Sequence, residues 1–398
     1  MLRKRTGERP RRLCMVVHGP YPVGEPRVAR EARAAVAAGY EVDVVAMRRP
    51  GESRQEVVDG QRVFRLPLHH RRGASFARAL FEYAVFTLMA TAKVAVLSAR
   101  RRYRAIHVHN PPDFLIVTGL LPRLIFRSRL IFDVHDLSVD MFAMRFEGRR
   151  GATLAERALA WAESAALYLA DHVITVHEAY RRELVRRGAE LEQTSVVMNT
   201  LDRDLLPQGV APVAANGPRV VYHGTLTPPY GVDLLVEAAV QVRERVPGLR
   251  VEIYGGGDAV EDLRRQIDGL GLGACVSLHP AVEQRDVLDR IRGAAAGVIP
   301  NRPSRLNRYA LSSKLFEYVE LGIPVVSAGL PTIREHFADE EVAFFTPGDA
   351  DALADALAET LLHPEAASRR AAAAAQRARE YAWEHSAQRY LALLEPRS

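Results

Sequence analysis

Short β-branched runs alternate with longer segments of helical apolar spacing along most of this 398-residue chain. Residues 13–17 form a continuous apolar run of the length expected for a buried strand. The loop HGPYPVGEPR leads from it into an Ala-rich stretch, 28–38, which Gly39 stops before a second run at 42–46. Strand, loop, helix and strand in this order start a parallel sheet with right-handed crossovers. A third strand is predicted over 63–66, and a long, largely apolar helix over 75–98. Further strands are predicted at 105–109, 130–133, 172–176 and 195–198, with helices up to about 121, over 153–169 and up to about 187 between them. Residues 202–218 are rich in Pro, Gly and Ala without an apolar period, so they read as a linker.

The alternation then restarts. Strands are predicted over 219–222, 250–254, 275–278, 297–300, 325–327 and 342–345, and helices over 232–245, 349–362 and about 383–394. The stretch 311–327, LSSKLFEYVELGIPVVS, has the clearest grammar. Ser312 and Ser313 are N-cap residue types. Leu315, Phe316 and Val319 make an apolar stripe, and Gly322 and Pro324 end the helix before Val325 and Val326. Ser313, Lys314, Glu317 and Glu320 are expected to form its polar face. A helix start carrying hydroxyls and a lysine favours an anion, and a carboxylate one turn on can accept from sugar hydroxyls. A nucleoside diphosphate needs both. The alternative is a capped surface helix, but a capping box would put Glu where Leu315 and Phe316 stand. The predicted class is therefore α/β, with two doubly wound halves and ligands at the C-terminal strand edges.

Composition adds limits. Hydrophobic content of 48% and charged content of 26% fit a globular protein of two domains. The two cysteines, Cys14 and Cys275, sit in apolar runs and read as buried thiols in a reducing compartment rather than a disulfide or metal pair. No run of about 18 apolar residues suggests a transmembrane helix, and the basic N-terminus precedes too short an apolar run for a signal peptide. A net charge of +6 and a pI near 9.4 point to anionic partners. Arg71, Arg72 and Arg78 surround the start of the helix over 75–98, and Arg100, Arg101, Arg102 and Arg104 follow its end. Such a helix can lie in a membrane interface or can be a core helix with solvated ends.

Candidate chemistry gathers at predicted strand ends. His107 and His109 share one face of a strand, while His18, His135 and Asp136 follow other strands. Their spacing matches no zinc motif, so contacts to sugar hydroxyls and phosphates suit them better. The glycines Gly255, Gly256 and Gly257 lack a dinucleotide fingerprint and are open to either a tight turn or a backbone approach to a nucleotide. Neither GxxxxGK[ST] nor GxSxG occurs. The loop 301–309 holds Arg302, Arg305 and Arg308, whose forks suit phosphate oxygens. Nucleic-acid binding rests on pI alone, without aromatic–basic interleaving, and is not expected.

Several stretches together resemble the family-4 retaining glycosyltransferases of GT-B fold, especially bacterial members that build cell-surface polysaccharides. They are HGPYPVGEPRVAREARAAVAAGYEVDVV, IHVHNPPDFLIVTGLL, IFDVHD, DHVITVHEAYRREL, VVMNTLD, VYHGTLTPPYGVDLLVEA and SSKLFEYVELGIPVVSA. The resemblance implies two Rossmann-like domains with the active site in a cleft between them. Residues 1–201, rejoined by a C-terminal helix at 380–398, would bind the acceptor. Residues 202–218 would be the linker, and 219–379 would bind a nucleotide-sugar. His135 would sit beside the transferred sugar, Gly24 in a loop near the donor phosphate, and Glu317 on the ribose as the second glutamate of a Glu-x7-Glu motif. The first falls at Tyr309. The family's Gly-Arg and Lys-Gly pairs read here as Gly224-Thr225 and Tyr230-Gly231, so both usual diphosphate cations are absent. Lys314, with Arg302, Arg305 or Arg308, is expected to replace them, helped by Ser312 and Ser313. Acceptor contacts are expected from Arg27, His109 and Asn110. The implied activity is transfer of a sugar to a glycan or lipid-linked acceptor, with no metal or other cofactor. It would be cytoplasmic, with peripheral membrane contact through 75–104. The alternatives are a non-catalytic sugar- or nucleotide-binding subunit of a polysaccharide assembly complex, or a GT-B nucleotide-sugar epimerase.

Overall fold

The computed structural model describes residues 10–68, 76–146, 152–201, 206–207 and 218–395. The chain divides into two units. Residues 1–199 and 384–398 form unit 1, and residues 200–383 form unit 2. Most of the expected linker over 202–218, residue 75 at the start of the long helix, and the end of the tail lie outside the described residues.

Unit 1 is built on eight strands in the order β3-β4-β2-β1-β5-β6-β7-β8. They are β1 (Arg12–Pro20), β2 (Glu41–Met47), β3 (Gln55–Val58), β4 (Gln61–Leu66), β5 (Ala105–His109), β6 (Arg129–Val134), β7 (His172–Thr175) and β8 (Thr194–Val196). All pairs are parallel except β3 with β4. Leu13 to Val16 of β1 are fully buried, as befits a central strand covered on both faces. Its helices are α1 (Pro26–Ala37), α2 (Phe76–Arg101), α3 (Leu120–Phe126), α4 (Ser138–Phe146), α5 (Ala152–Leu169) and α6 (Glu178–Arg186). The helix expected before residue 121 begins as a 3-10 segment, Asp113–Gly119, packed between α2 and α5. The antiparallel β3 was not expected, because a four-residue edge strand has too few alternations to stand out. A second difference matters more for the site. β1 runs on to Pro20, so His18 lies within the strand rather than in the loop after it.

In unit 2, six parallel strands run in the order β11-β10-β9-β12-β13-β14. They are β9 (Arg219–Thr225), β10 (Arg250–Gly256), β11 (Val276–His279), β12 (Ala296–Ile299), β13 (Val325–Ala328) and β14 (Ala343–Phe345). The helices are α7 (Val232–Arg245), α8 (Val260–Gly269), α9 (Gln284–Ile291), α10 (Ser313–Glu320), α11 (Pro331–His336), α12 (Ala350–Leu362) and α13 (Pro364–Ala378). Then α14 (Trp383–Leu394) returns to unit 1, where Ser386 Oγ accepts from Met198 N at 3.1 Å. The reversal of strand order beside β9 puts the loops after β9 and β12 side by side, where ligands bind in doubly wound sheets.

Candidate active site

In unit 2 the candidate residues gather around the end of β9 and the start of α10. Gly224 has φ +127°, a conformation that side chains rarely adopt. A Cβ there would lie 2.8 Å from Lys314 Cε, so the bare glycine makes room for that side chain. The Lys314 ammonium lies 5.5 Å from the Tyr222 ring and 5.4 Å from the Tyr230 ring. Ring quadrupoles attract a cation at this range. Burial lowers the Lys314 pKa, with Glu317 opposing that shift.

Glu317 stands one turn further along α10. Its Oε1 accepts from Gln284 Nε2 at 2.8 Å, and its Oε2 lies 3.0 Å from His223 Nε2. Burial pushes its pKa up, but His223, Gln284 and Lys314 outweigh that and hold the carboxyl below its usual range. The polar face expected for this helix does not stand wholly in water. Leu315 through Val319 are all buried, Glu317 included, and the acceptor is presented inward beside the strand ends. Ser312 is the N-cap residue, and its side chain makes no capping hydrogen bond. Ser313 is exposed in the first turn.

The arginines of the 301–309 loop are placed differently from Lys314. Arg302 is ion-paired with Asp233 in the first turn of α7. Arg308 lies over the Tyr309 ring at 4.5 Å and donates to its hydroxyl at 2.7 Å. Arg305 is exposed, and so is Thr225 at the end of β9. Of the four cations expected to share one task, Lys314 is the one packed over the β9 end. The triple glycine resolves toward a close turn. A Cβ on Gly255 would lie 2.1 Å from Gly224 O, and one on Gly257 would lie 2.1 Å from Leu226 O. Their missing side chains are required by the protein's own backbone.

Unit 1 holds a buried polar network centred on Asp133, at the C-terminal end of β6. Arg27 grips both its oxygens at 3.0 Å, gives a third bond to Val197 O at 2.7 Å, and lies 3.2 Å from Glu31. His135 Nε2 lies 3.2 Å from Asp133 Oδ2 and 3.1 Å from His109 Nδ1. His107 and His109 share a face as expected, their rings 4.0 Å apart, and His107 Nδ1 meets Tyr390 Oη at 3.2 Å. Asn110 clamps the loop after β6. Its Oδ1 accepts from His135 N at 2.7 Å, while its Nδ2 donates to Asp136 O and Asp113 Oδ1, each at 2.8 Å.

Burial pushes His109 down to about 4 and His107 well below its usual range. It pushes His135 down too, but Asp133 more than offsets this and leaves His135 above its ordinary value. Burial raises Glu31 to about 8 and Glu25, near His135, to about 7.

Three expected acceptor contacts are corrected here. Arg27, His109 and Asn110 are 3%, 0% and 2% exposed, each bonded inside unit 1. They hold His135 and its loop from behind, because every polar group taken out of water needs a partner and these found theirs in the protein. His135 keeps 15% of its side chain exposed. His18 is also corrected. It faces α2, 3.4 Å from Glu82, with its ring against Tyr83 and Phe86. Gly24 lies in the exposed turn after β1, its N–H donating to Pro20 O at 2.8 Å. Glu31, His107, His109 and Asp133 bring ligand atoms within 4.8 Å of one another. The Arg27 guanidinium already lies against both carboxylates, so the cluster carries its cation as a side chain.

Some of these residues had no distinctive signal. Tyr222, His223 and Gln284 become part of the site only when three elements converge. Arg27 and Glu31 were visible as an i, i+4 pair in PRVARE, and Asp133 in IFDVHD, yet neither string says that the two meet.

Residues 24–200 match the glycosyl transferase 4-like domain, and residues 217–363 match the glycosyl transferases group 1 domain. A D-inositol 3-phosphate glycosyltransferase of Frankia alni is 28% identical over 235 residues, 54% of each protein. A phosphatidyl-myo-inositol mannosyltransferase of Mycobacterium leprae is 31% identical over 191 residues, 45% of this chain and 49% of the relative. The chain spans about half the length of the curated relatives it matches. Among solved structures, sucrose-phosphate synthase from Thermosynechococcus elongatus superposes with a TM-score of 0.77 at 20% identity, over 96% of this chain and 98% of the other. Anabaena HepE in complex with UDP-glucose gives 0.69 at 17% identity, over 96% and 99%. Two matched domains in sequence order, each on its own parallel sheet, place this chain in the family-4 glycosyltransferases of GT-B fold.

Proposed function

We propose that the protein transfers a sugar from a nucleotide-sugar to a glycan or lipid-linked acceptor, with retention at the anomeric carbon. The observation that carries this reading is the pairing of Lys314, seated between Tyr222 and Tyr230, with Glu317, fixed by His223 and Gln284. One residue supplies charge for the diphosphate and the other an acceptor for ribose hydroxyls. When the anomeric C–O bond breaks, its electron pair stays on the diphosphate. The acceptor oxygen bonds to the anomeric carbon on the same face, and its proton passes to the leaving phosphate. A preorganised cation and helix N–H groups stabilise the charge that develops there. We assign His135 to the transferred sugar. This chemistry asks for no metal or other cofactor.

A purified-protein thermal-shift screen across UDP-, GDP-, ADP- and dTDP-sugars identifies the donor, and calorimetry with the matching nucleoside diphosphate tests the site. Lys314→Ala and Glu317→Ala should each weaken binding. Wild-type affinity in both would refute the assignment. Thr225 and Tyr230, standing where the family carries cations, favour a second reading, a non-catalytic nucleotide-binding subunit. Donor hydrolysis or transfer by the purified protein decides between the two.

The acceptor side of the proposal includes peripheral contact with the cytoplasmic face of a membrane, supporting envelope polysaccharide synthesis. One side of α2 packs on β1, β2 and β4, while Phe81, Leu88 and Val96 are 70%, 74% and 50% exposed on another. Contrary to the sequence expectation, Arg78–Arg101 is long and apolar enough to cross a membrane. Its packing against the sheet supports a surface position instead. Replacing Arg78 and Arg100 should reduce co-sedimentation with anionic vesicles.

A further inference from the structure

At the N-terminal edge of the unit 1 sheet, a cavity of about 770 Å³ opens where α3 meets the end of α5. That edge is opposite the one that carries His135. Arg123, Arg127 and Arg129 line the cavity against a single carboxylate, Asp171. Arg123 is fixed by Asp171 at 2.7 Å and by Leu169 O at 2.9 Å, and Arg129 by Glu395 O at 3.0 Å. The exposed Arg127 side chain makes no hydrogen bond or ion pair among the described residues. Arg127 caps the C-terminus of α3 at φ +56°, a left-handed conformation that glycine adopts more readily, with its N–H donating to Arg123 O at 3.1 Å. An exposed, unpaired arginine beside two anchored ones suits an anion.

Both α3 and α5 carry exposed apolar side chains. On α5, Leu154, Trp161 and Tyr168 recur every seven residues and are 75%, 74% and 86% exposed, and Tyr168 reaches the cavity. On α3, Leu124 and Ile125 are 78% and 59% exposed. Arg157 lies on the same exposed side of α5. Aromatic side chains beside aliphatic ones and arginines match the layering of a bilayer interface. A second copy of this chain would set arginine against arginine, which charge complementarity disfavours.

We propose that this cavity and the α3–α5 face form a headgroup site for anionic phospholipid. The arginines take the phosphate, Trp161 and Tyr168 sit at headgroup level, and Leu124, Ile125 and Leu154 enter the acyl layer. The inference rests on the membrane contact proposed above but uses residues outside α2. It gives unit 1 a lipid contact remote from its polar network.

Co-sedimentation of the full chain with phosphatidylcholine vesicles, with and without phosphatidylglycerol, tests it. Wild-type protein should bind only the anionic vesicles. Arg127→Gly should bind them about fivefold more weakly, with an unchanged or higher Tm because glycine suits that backbone. Leu124→Ser and Trp161→Ser should also weaken binding. Equal binding by Arg127→Gly and wild type would overturn the headgroup site while leaving the α2 contact standing. No wild-type binding would overturn both. Arg127-dependent binding of soluble glycerol phosphate without vesicle binding would identify a free phosphate ligand and refute the lipid. Nucleoside diphosphate affinity should be the same in Arg127→Gly, which separates this site from the donor site.

Discussion

Lys314 has given up water on several sides and gained two aromatic faces in return. Losing a hydrogen bond to a charged group costs about 1.5–3 kcal/mol, so Lys314→Ala should weaken nucleoside diphosphate binding roughly 10- to 100-fold, read by calorimetry. Gly224 is a second control on the same atom. A methyl group there would meet Lys314 Cε at 2.8 Å, on a backbone at φ +127°. Gly224→Ala should therefore displace the ammonium and weaken nucleotide binding with Lys314 still present. The resemblance implies a lysine at position 230, where this chain has tyrosine. Tyr230→Lys alone adds a second cation for the diphosphate and should raise affinity. In the Lys314→Ala background the same change should restore part of it, and a double-mutant cycle measures that coupling.

At the scale of elements, the ends of β5 and β6 and the start of α1 act as one polar unit. Asn110 ties the loops after β5 and β6 together through bonds to His135, Asp136 and Asp113. Asn110→Ala should cost about 1–3 kcal/mol of stability, because buried partners are left unsatisfied. A urea unfolding midpoint checks it. Glu31, on α1, tests the charge state of the network. Its folded pKa is about 8, above the ordinary carboxyl value because of burial. A carboxyl raised on folding contributes stability that is complete below the unfolded value. That contribution falls as pH rises through the interval and levels off above the folded pKa. Glu31→Gln does not titrate, so Tm of wild type should drop more steeply than that of the variant between pH 5 and 8. Parallel Tm–pH curves would show that Glu31 is ionised throughout.

Legibility also differed by element. α7 matched its predicted span, Val232–Arg245, because its stripe is strong and its flanks are clear. By contrast α13, Pro364–Ala378, is Ala-rich and has no large apolar residue to mark a face. The polar face of α10 shows a related limit of periodicity. Period shows which residues share a face, but solvent is not the only thing a polar face can meet. Here Glu317 meets His223 and Gln284.

For the molecule as a whole, the sequence by itself determined the class and the division into two parallel-sheet units. Alternating β-branched runs and helical stripes leave few other ways to bury apolar surface, and the loops at C-terminal strand edges follow from that. It also determined the family, through motifs kept in order over most of the chain. Tertiary structure alone decided which of the polar residues are buried and bonded within the protein. Arg27, His109 and Asn110 read as contacts because they are polar and lie near strand ends. In the fold they are the buried support of His135, since a desolvated charge has to be paired within reach. Tertiary structure likewise separated Lys314, packed between Tyr222 and Tyr230, from Arg302, which Asp233 neutralises, and Arg308, which stacks on Tyr309. Local sequence sets what a side chain can bond to. Which partner it finds depends on residues tens of positions away, brought close only by sheet order.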